Sequence, residues 1–433
     1  MESSMIIQNA IFTLVILILA SLLAEPLSRL FRLPFVAFLI VIGFIGSEAV
    51  VFLGFDTGIR ASNFNDLVFY VFLPIIIFES AYRINQKSLK ENLVPILMLA
   101  IPIMIISAGI AALLIYWGIG HDQGFPLFTA LVAGTLLVAT DPMAVVSHLK
   151  RIKAPEEVTT LIEGESLFND AVAVVLFTTV LSAALEIQHM GDTSNNISLF
   201  KQILNFSWLF LGGLLFGFVC GLLGAIFSHV IQTRILENVL LVSVAYGSFL
   251  IAEDYLGVSG MMAVLASGLL MNKAHEKFIP AEDRDYIHYW WEVITFFANA
   301  MIFILLGVTI TLNMFEERWL AMLIAIGAAL LTRAIAVFSL LPLFTFKSKQ
   351  PVSLPTQKIL FWGGTRGAVT VALALSLPVE LDAWWTIQSM AFGVVLFTLF
   401  VQAPTVPRLL QTTHPNHTKS HINLLKSTTK NTD

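Results

Sequence analysis

A membrane-spanning helix takes about 20 mainly apolar residues. Thirteen stretches of the chain approach or exceed that length: 5–24, 33–53, 64–82, 92–117, 125–147, 161–185, 203–231, 236–253, 257–272, 288–311, 318–346, 357–377 and 384–410. The ninth is short, and the last carries Pro404 and Pro407 near its end. Most of the polar residues fall in brief connections between these stretches, which leave no room for a soluble catalytic or nucleotide-binding domain. The pattern predicts an all-α polytopic membrane protein of about 13 transmembrane helices.

Two of the spans are interrupted. In the fifth, Thr140-Asp141-Pro142 removes a backbone donor beside a carboxylate. In the twelfth, Gly363-Gly364-Thr365-Arg366-Gly367 sets three glycines in five residues at mid-span. The two differ by seven spans, an odd number, so they enter the bilayer from opposite sides. Broken helices at corresponding places of two inverted halves are a sequence pointer to a transporter binding site. A simple kink is the alternative reading of either break taken alone.

Basic residues set the orientation. Nineteen Lys and Arg fall in one set of loops, including Arg83, Lys150, Arg284 and the C-terminal tail, against three (Arg60, Lys201 and Arg318) in the other. The C-terminus is therefore expected in the cytoplasm and the N-terminus outside. Composition agrees: 57% of residues are hydrophobic and 12% charged, where a soluble domain carries about 25% charged residues. An ordinary soluble enzyme is excluded, and no enzymatic activity is expected. The net charge of −5 adds little. The single cysteine, Cys220, precludes a disulfide framework and reads as a core residue. The N-terminus lacks a basic region before its first apolar run, so that run reads as a retained helix and not a signal peptide. The tail 412–433 is short and polar; its three histidines read as solvated.

Ionisable residues at bilayer depth are costly and mark an ion path or a structural pair. Counting 1.5 Å per residue places Asp170 roughly 14 Å, Asp141 roughly 9 Å and Glu79 roughly 5 Å from the cytoplasmic ends of their helices. On the same rule Arg333 and Arg366 lie roughly 20 Å and 14 Å deep. Ser166 and Asp170 share a helix face at i and i+4, with Asn169 beside them. Glu165 points elsewhere and, at the depth of Arg333, is its expected ion-pair partner, because a buried unpaired arginine is expensive. The carboxylates of Asp170 and of Glu79, the Ser166 hydroxyl and a carbonyl freed at Thr140 are hard oxygens suited to Na⁺, Li⁺ or K⁺. Desolvation and a second carboxylate both favour protonation, so one such group can hold either a proton or a cation. Competition at one site is sufficient for exchange, provided the empty site does not reorient. The structural alternative is that Asp141 and Asp170 only pair with the arginines.

Gly-Glu-Ser-Leu-Phe-Asn-Asp at 164–170, Thr-Asp-Pro at 140–142, Phe-Leu-Pro-Ile-Ile-Ile-Phe-Glu at 72–79 and Trp-Gly-Gly-Thr-Arg-Gly-Ala at 362–368 resemble the monovalent cation:proton antiporter-1 family, the NhaP-like sodium/proton exchangers. The resemblance runs from the first span to about residue 410. It implies the NhaA/NhaP-like antiporter fold, with Asp170 as the essential cation- and proton-binding carboxylate and Na⁺ held by Asp170, Ser166, Glu79 and the Thr140 backbone. Asn169 before Asp170, in place of a second Asp, implies electroneutral one-for-one exchange. Asp141 and Arg366 would support the crossed helices, while Glu165 and Arg333 form a stabilising ion pair. Thr365 and Gln402-Ala403 depart from the family's usual residues.

The implied organisation is scaffold and dimerisation helices at 1–90, core helices at 91–186, a linker helix and scaffold at 187–317, core helices at 318–411 and a tail at 412–433. A homodimer in a bacterial inner membrane, with no cofactor and no nucleic-acid partner, completes the expectation. Potassium/proton exchange on the same fold is the runner-up. A passive cation channel predicts currents at fixed pH far above carrier turnover. An intramembrane aspartyl protease lacks its Gly-x-Gly-Asp and Tyr-Asp contexts here.

Overall fold

In the computed structural model, the structure describes residues 34–52, 67–119, 125–142, 156–190, 199–231, 233–346 and 352–413, with isolated positions at 19–26 and 145–154. The first predicted span and the tail beyond 413 lie outside the described residues. The remaining twelve spans all appear as helices: α1 (Phe35–Phe52), α2 (Leu73–Arg83), α3 (Leu93–Ile119), α4 (Leu127–Val138), α5 (Glu156–Met190), α6 (Leu199–Ser228), α7 (Arg234–Tyr255), α8 (Gly260–Phe278), α9 (Ala281–Thr309), α10 (Leu312–Phe344), the pair α11 (Leu354–Gly363) and α12 (Ala368–Leu375), and α13 (Trp384–Leu410). No strand occurs among the described residues.

Several helices run past their apolar segments. α5 begins at Glu156 and ends at Met190, and α8 continues through Lys273 to Phe278, because polar helix formers carry the backbone pattern beyond the bilayer. Starts follow local chemistry. Ser259 accepts from Met262 N at 3.3 Å to cap α8, and Ser353 does the same for Thr356 N at 3.4 Å ahead of Pro355 in α11. Near Pro102, and just before Pro342 and Pro404, the chain widens into π-turns at Leu99–Ile103, Ala336–Leu340 and Thr398–Gln402. These turns accommodate the donor that proline lacks, so α13 continues through Pro404 to Leu410 without a break.

Packing falls into two groups. α3 lies against α4 and α10, α5 against α4, and α10 against α13. α6 lies against α8, α1 against α9, and α2 against α8. α5 also touches α6, α8 and α2, and α9 touches α12, so these helices join the groups.

Among the described residues, only the fifth and twelfth spans lose helix in mid-course. α4 ends at Val138, and the chain is non-helical through Ala139–Pro142; α11 ends at Gly363, and the chain is non-helical through Gly364–Gly367. The two non-helical segments meet. Asp141 N–H donates to Thr365 O at 2.7 Å, and the Thr365 hydroxyl donates back to the Asp141 carbonyl. Glycine is required where they touch: a Cβ on Gly367 would collide with the Asp141 carboxylate, and one on Gly364 would press on the Arg333 guanidinium.

Candidate functional site

Breaking a helix strands backbone carbonyls that must find donors. At the end of α4, Leu137 O accepts from Arg366 Nε at 3.0 Å, Val138 O from Asn169 Nδ2 at 3.4 Å, Ala139 O from Thr370 Oγ1 at 3.5 Å and Thr140 O from Ser166 Oγ at 2.9 Å. At the end of α11, Leu360 O accepts from Arg333 Nε at 3.2 Å and Nη2 at 3.0 Å, and Gly364 O accepts from Arg366 Nη1. Each arginine thus sits at the negative end of a half-helix. The Asp141 carboxylate packs against Gly367, at the positive N-terminal end of α12.

Glu165 on α5 is locked. Glu165 takes Arg333 in a two-pronged ion pair, Nη1 to Oε1 and Nη2 to Oε2, both at 2.9 Å. Its Oε1 also accepts from Thr140 Oγ1 at 3.1 Å and Asn169 Nδ2 at 3.2 Å. Asn169 Nδ2 further donates to Thr140 Oγ1 at 3.1 Å. Asn169 therefore braces α5 to the break after α4 with its amide nitrogen and offers that nitrogen side to no cation.

Asp170 is different. Among the described residues no side chain hydrogen-bonds to it, its Oδ1 is buried without a partner, and the residue as a whole is partly exposed. Among the described residues, two other carboxylates, Asp141 and Glu165, bear on it. One helical turn away on the same face lie the Ser166 hydroxyl and the Thr140 carbonyl it bonds. Ser166 and the Thr140 carbonyl are bonded to each other, and Asp170 follows Ser166 by one turn of α5.

Glu79 is not with them in this conformation. Its carboxylate accepts from Arg83 Nη1 at 3.1 Å, and Arg83 reaches Glu292 at 3.7 Å. The i, i+4 spacing of Glu79 and Arg83 on α2 makes this local pairing available, and it draws Glu79 toward a charged cavity instead of the break. That cavity, about 480 Å³, is lined by Arg83, Lys150, Glu163, Arg284 and His288 among others. Lys150 and Glu163 pair across it at 2.5 Å. Glu163 lies seven residues before Asp170 on α5, roughly 10 Å along the helix.

Sequence reasoning passed over several polar groups at the crossing. Thr365, noted only as a departure from the family's usual residue, is the crossing's backbone and side-chain partner. Thr398 on α13 accepts from Arg366 N–H at 3.2 Å, and Thr370 serves Ala139. Threonines in apolar helices resemble their neighbours in size and usually bond within their own helix, so no spacing distinguished these. Gln402 is buried on the π-turn of α13.

A model of the family described as sodium/hydrogen exchanger, transmembrane, matches residues 14–412. The chain is 34% identical over 394 residues to the Na⁺/H⁺ antiporter ApNhaP of Aphanothece halophytica, covering 89% of this chain and 71% of that one. To the Na⁺/H⁺ antiporter NhaP of Pseudomonas aeruginosa it is 32% identical over 366 residues, covering 82% of each chain. The solved sodium proton antiporter MjNhaP1 from Methanocaldococcus jannaschii at pH 8 superposes with a TM-score of 0.76 at 21% identity, covering 94% of this chain and 98% of that one. That likeness is one of fold.

Proposed function

The chain belongs to the sodium/hydrogen exchanger family, and on that footing we propose that it is a secondary antiporter exchanging Na⁺ (or Li⁺) for H⁺, the two competing for Asp170. The observation that carries this reading is the Asp170 carboxylate, which has no counter-ion among the described residues while Arg333 and Arg366 are engaged elsewhere. With the Ser166 hydroxyl and the Thr140 carbonyl it offers a small monovalent cation hard oxygens and one negative charge. One carboxylate that takes either a proton or one Na⁺ gives electroneutral one-for-one exchange. Glu165 with Arg333, and Asp141 with Arg366, are the fixed frame around it. Glu79 joins the ligands only if it leaves Arg83.

The packing groups support a core of residues 91–186 and 318–411 moving against a scaffold of 1–90 and 187–317, and the large charged cavity is the cytoplasmic entrance. In this reading the protein is a homodimer in a bacterial plasma membrane with its C-terminus inside. The exposed apolar face of α6, with Trp208, Leu211, Leu215 and Phe218, is available to lipid or to a second copy. Transport by rocking about broken helices is preferred to a passive channel, and nothing at the crossing favours peptide hydrolysis.

The test is exchange in proteoliposomes with an imposed pH gradient. Na⁺ should dissipate the gradient, and Asp170→Asn should abolish the effect. Full activity in Asp170→Asn would refute the assignment. Potassium/proton exchange uses the same oxygens and is separated by comparing Na⁺, Li⁺ and K⁺ in the same vesicles.

A further inference from the structure

Asn169 faces two ways. Its nitrogen side meets Val138 O, Thr140 Oγ1 and Glu165 Oε1, which are all acceptors there, so its Oδ1 must point to the opposite side. That side opens on a second, small space of about 20 Å³, room for about one water molecule, walled by α3, the end of α4, α5, α10 and the α11–α12 break. Asp170, Ser166 and Thr140 do not line it, whereas Ser107, Asn169, Thr332, Arg333 and Arg366 do.

Three oxygens on these walls have no protein partner: Ser107 Oγ, Asn169 Oδ1 and Thr332 Oγ1. Their residues are 5%, 2% and 3% exposed. Buried polar atoms without partners are uncommon in folded proteins, and each calls for an explanation such as bound water or an ion. Here three share one space. The two helices that supply the hydroxyls each carry a π-turn at the cavity, Leu99–Ile103 in α3 and Ala336–Leu340 in α10. Such turns recur at functional positions.

The donor set selects the ligand. A bare cation would meet two guanidinium groups, and a bare anion would meet the lone pairs of Asn169 Oδ1. Water suits all three oxygens, because it donates to the amide oxygen and exchanges bonds of either sense with the hydroxyls. We propose that this cavity is a site for bound water that bridges Asn169 Oδ1 to the Ser107 and Thr332 hydroxyls, making Ser107 and Thr332 positioning residues for exchange. The water fixes the Asn169 amide, the amide holds Thr140 Oγ1 and Glu165, and the Thr140 carbonyl that Ser166 bonds is thereby set in place. The role in exchange rests on the antiport reading above; the presence of water does not.

The experiment uses the full chain in lipid, with a cryo-EM map good enough to show ordered solvent alongside Na⁺-dependent exchange in proteoliposomes. Expected is density within hydrogen-bond distance of Asn169 Oδ1 in the wild type. Thr332→Val, which keeps shape but removes the hydroxyl, and Ser107→Ala should each raise the half-saturating Na⁺ concentration about fivefold, the equivalent of about one hydrogen bond. The maximal rate should stay near that of the wild type and the pH profile of half-saturation should move. Thr332→Ser should restore wild-type values, and if Thr332→Val fails to fold, Ser107→Ala and Thr332→Ser carry the comparison. A dry cavity overturns the proposal. So does wild-type half-saturation and pH profile in folded Thr332→Val or Ser107→Ala, or a half-saturation that changes when chloride is replaced by gluconate, which would mark an anion site. Absence of Na⁺-driven exchange in the wild type would refute the antiport reading and leave the solvent density to be judged by itself.

Discussion

Glu165→Gln isolates the energetics of the fixed frame. The substitution keeps the side chain's shape and removes its charge. In the native protein, Arg333 and Glu165 are joined by two bonds of 2.9 Å, with side chains only 8% and 2% exposed. Water therefore cannot take over when the carboxylate is lost. The guanidinium keeps Leu360 O, but one face of the glutamine would present an N–H₂ to a group that only donates. Thr140 Oγ1 and Asn169 Nδ2, which both donate to Oε1, compete for the single remaining oxygen. Removing one partner of a buried pair costs about 3–5 kcal/mol, whereas a solvated pair is worth about 1 kcal/mol or less. Chemical or thermal unfolding of the purified protein in detergent measures the difference. The matching double variant Glu165→Gln/Arg333→Met removes both charges, leaving chiefly the orphaned Leu360 carbonyl at about 1–3 kcal/mol. The double variant should accordingly be less unstable than the sum of its singles. A loss below about 1 kcal/mol in Glu165→Gln, or strict additivity in the cycle, would refute the claim that this pair is buried and coupled.

Two further outcomes follow from the crossing and from the free carboxylate. Gly367→Ala puts a methyl where the Asp141 carboxylate lies; it should cost about 1–3 kcal/mol of stability and slow exchange. Wild-type stability and rate together would show that the crossing has slack. If Na⁺ and H⁺ share Asp170, the half-saturating Na⁺ concentration should rise about tenfold per unit fall in pH on the acid side, by mass action at one site. A half-saturation independent of pH, measured by initial rates in proteoliposomes, would place the two ions on different groups.

The spans were legible because length and apolarity are all a lipid-crossing helix needs. The breaks were legible because Pro142 and three glycines in five residues are conspicuous in apolar sequence. The pairing of Glu165 with Arg333 followed from depth and helical phase, and both quantities survive into three dimensions because α5 and α10 are long helices. Glu79 shows where that reasoning stops. Depth put it within reach of Asp170, but a local i, i+4 arginine competes for it, and spacing along one helix cannot say which partner wins. Asn169 was placed correctly on its face, yet the side its amide nitrogen serves depends on acceptors contributed by a different span. Ser107 and Thr332 gave no signal, since a lone hydroxyl in an apolar helix normally bonds to its own backbone. Only the shape of the space between α3, α5 and α10 makes their unpaired oxygens visible.

The distribution of charge around the breaks explains why one acid can be mobile in its allegiance while its neighbours cannot. Arg366 spans both breaks, donating to Leu137 O near the end of α4 and to Gly364 O. Arg333 meets the end of α11 and is balanced by Glu165. Asp141 lies at the positive start of α12. Each of these charges is offset by a fixed dipole or a fixed ion, so moving the core would carry it along already compensated. Among the described residues, Asp170 has two negative neighbours and no ion-paired cation. In a medium of low dielectric its charge is too costly to carry alone across the barrier, so under the proposed mechanism it moves only with a proton or a metal cation bound. That constraint couples the two ions without any gate that reads both. It also predicts where leakiness would arise: a fixed positive charge introduced beside Asp170 would remove the need for either ion and let the empty carrier turn.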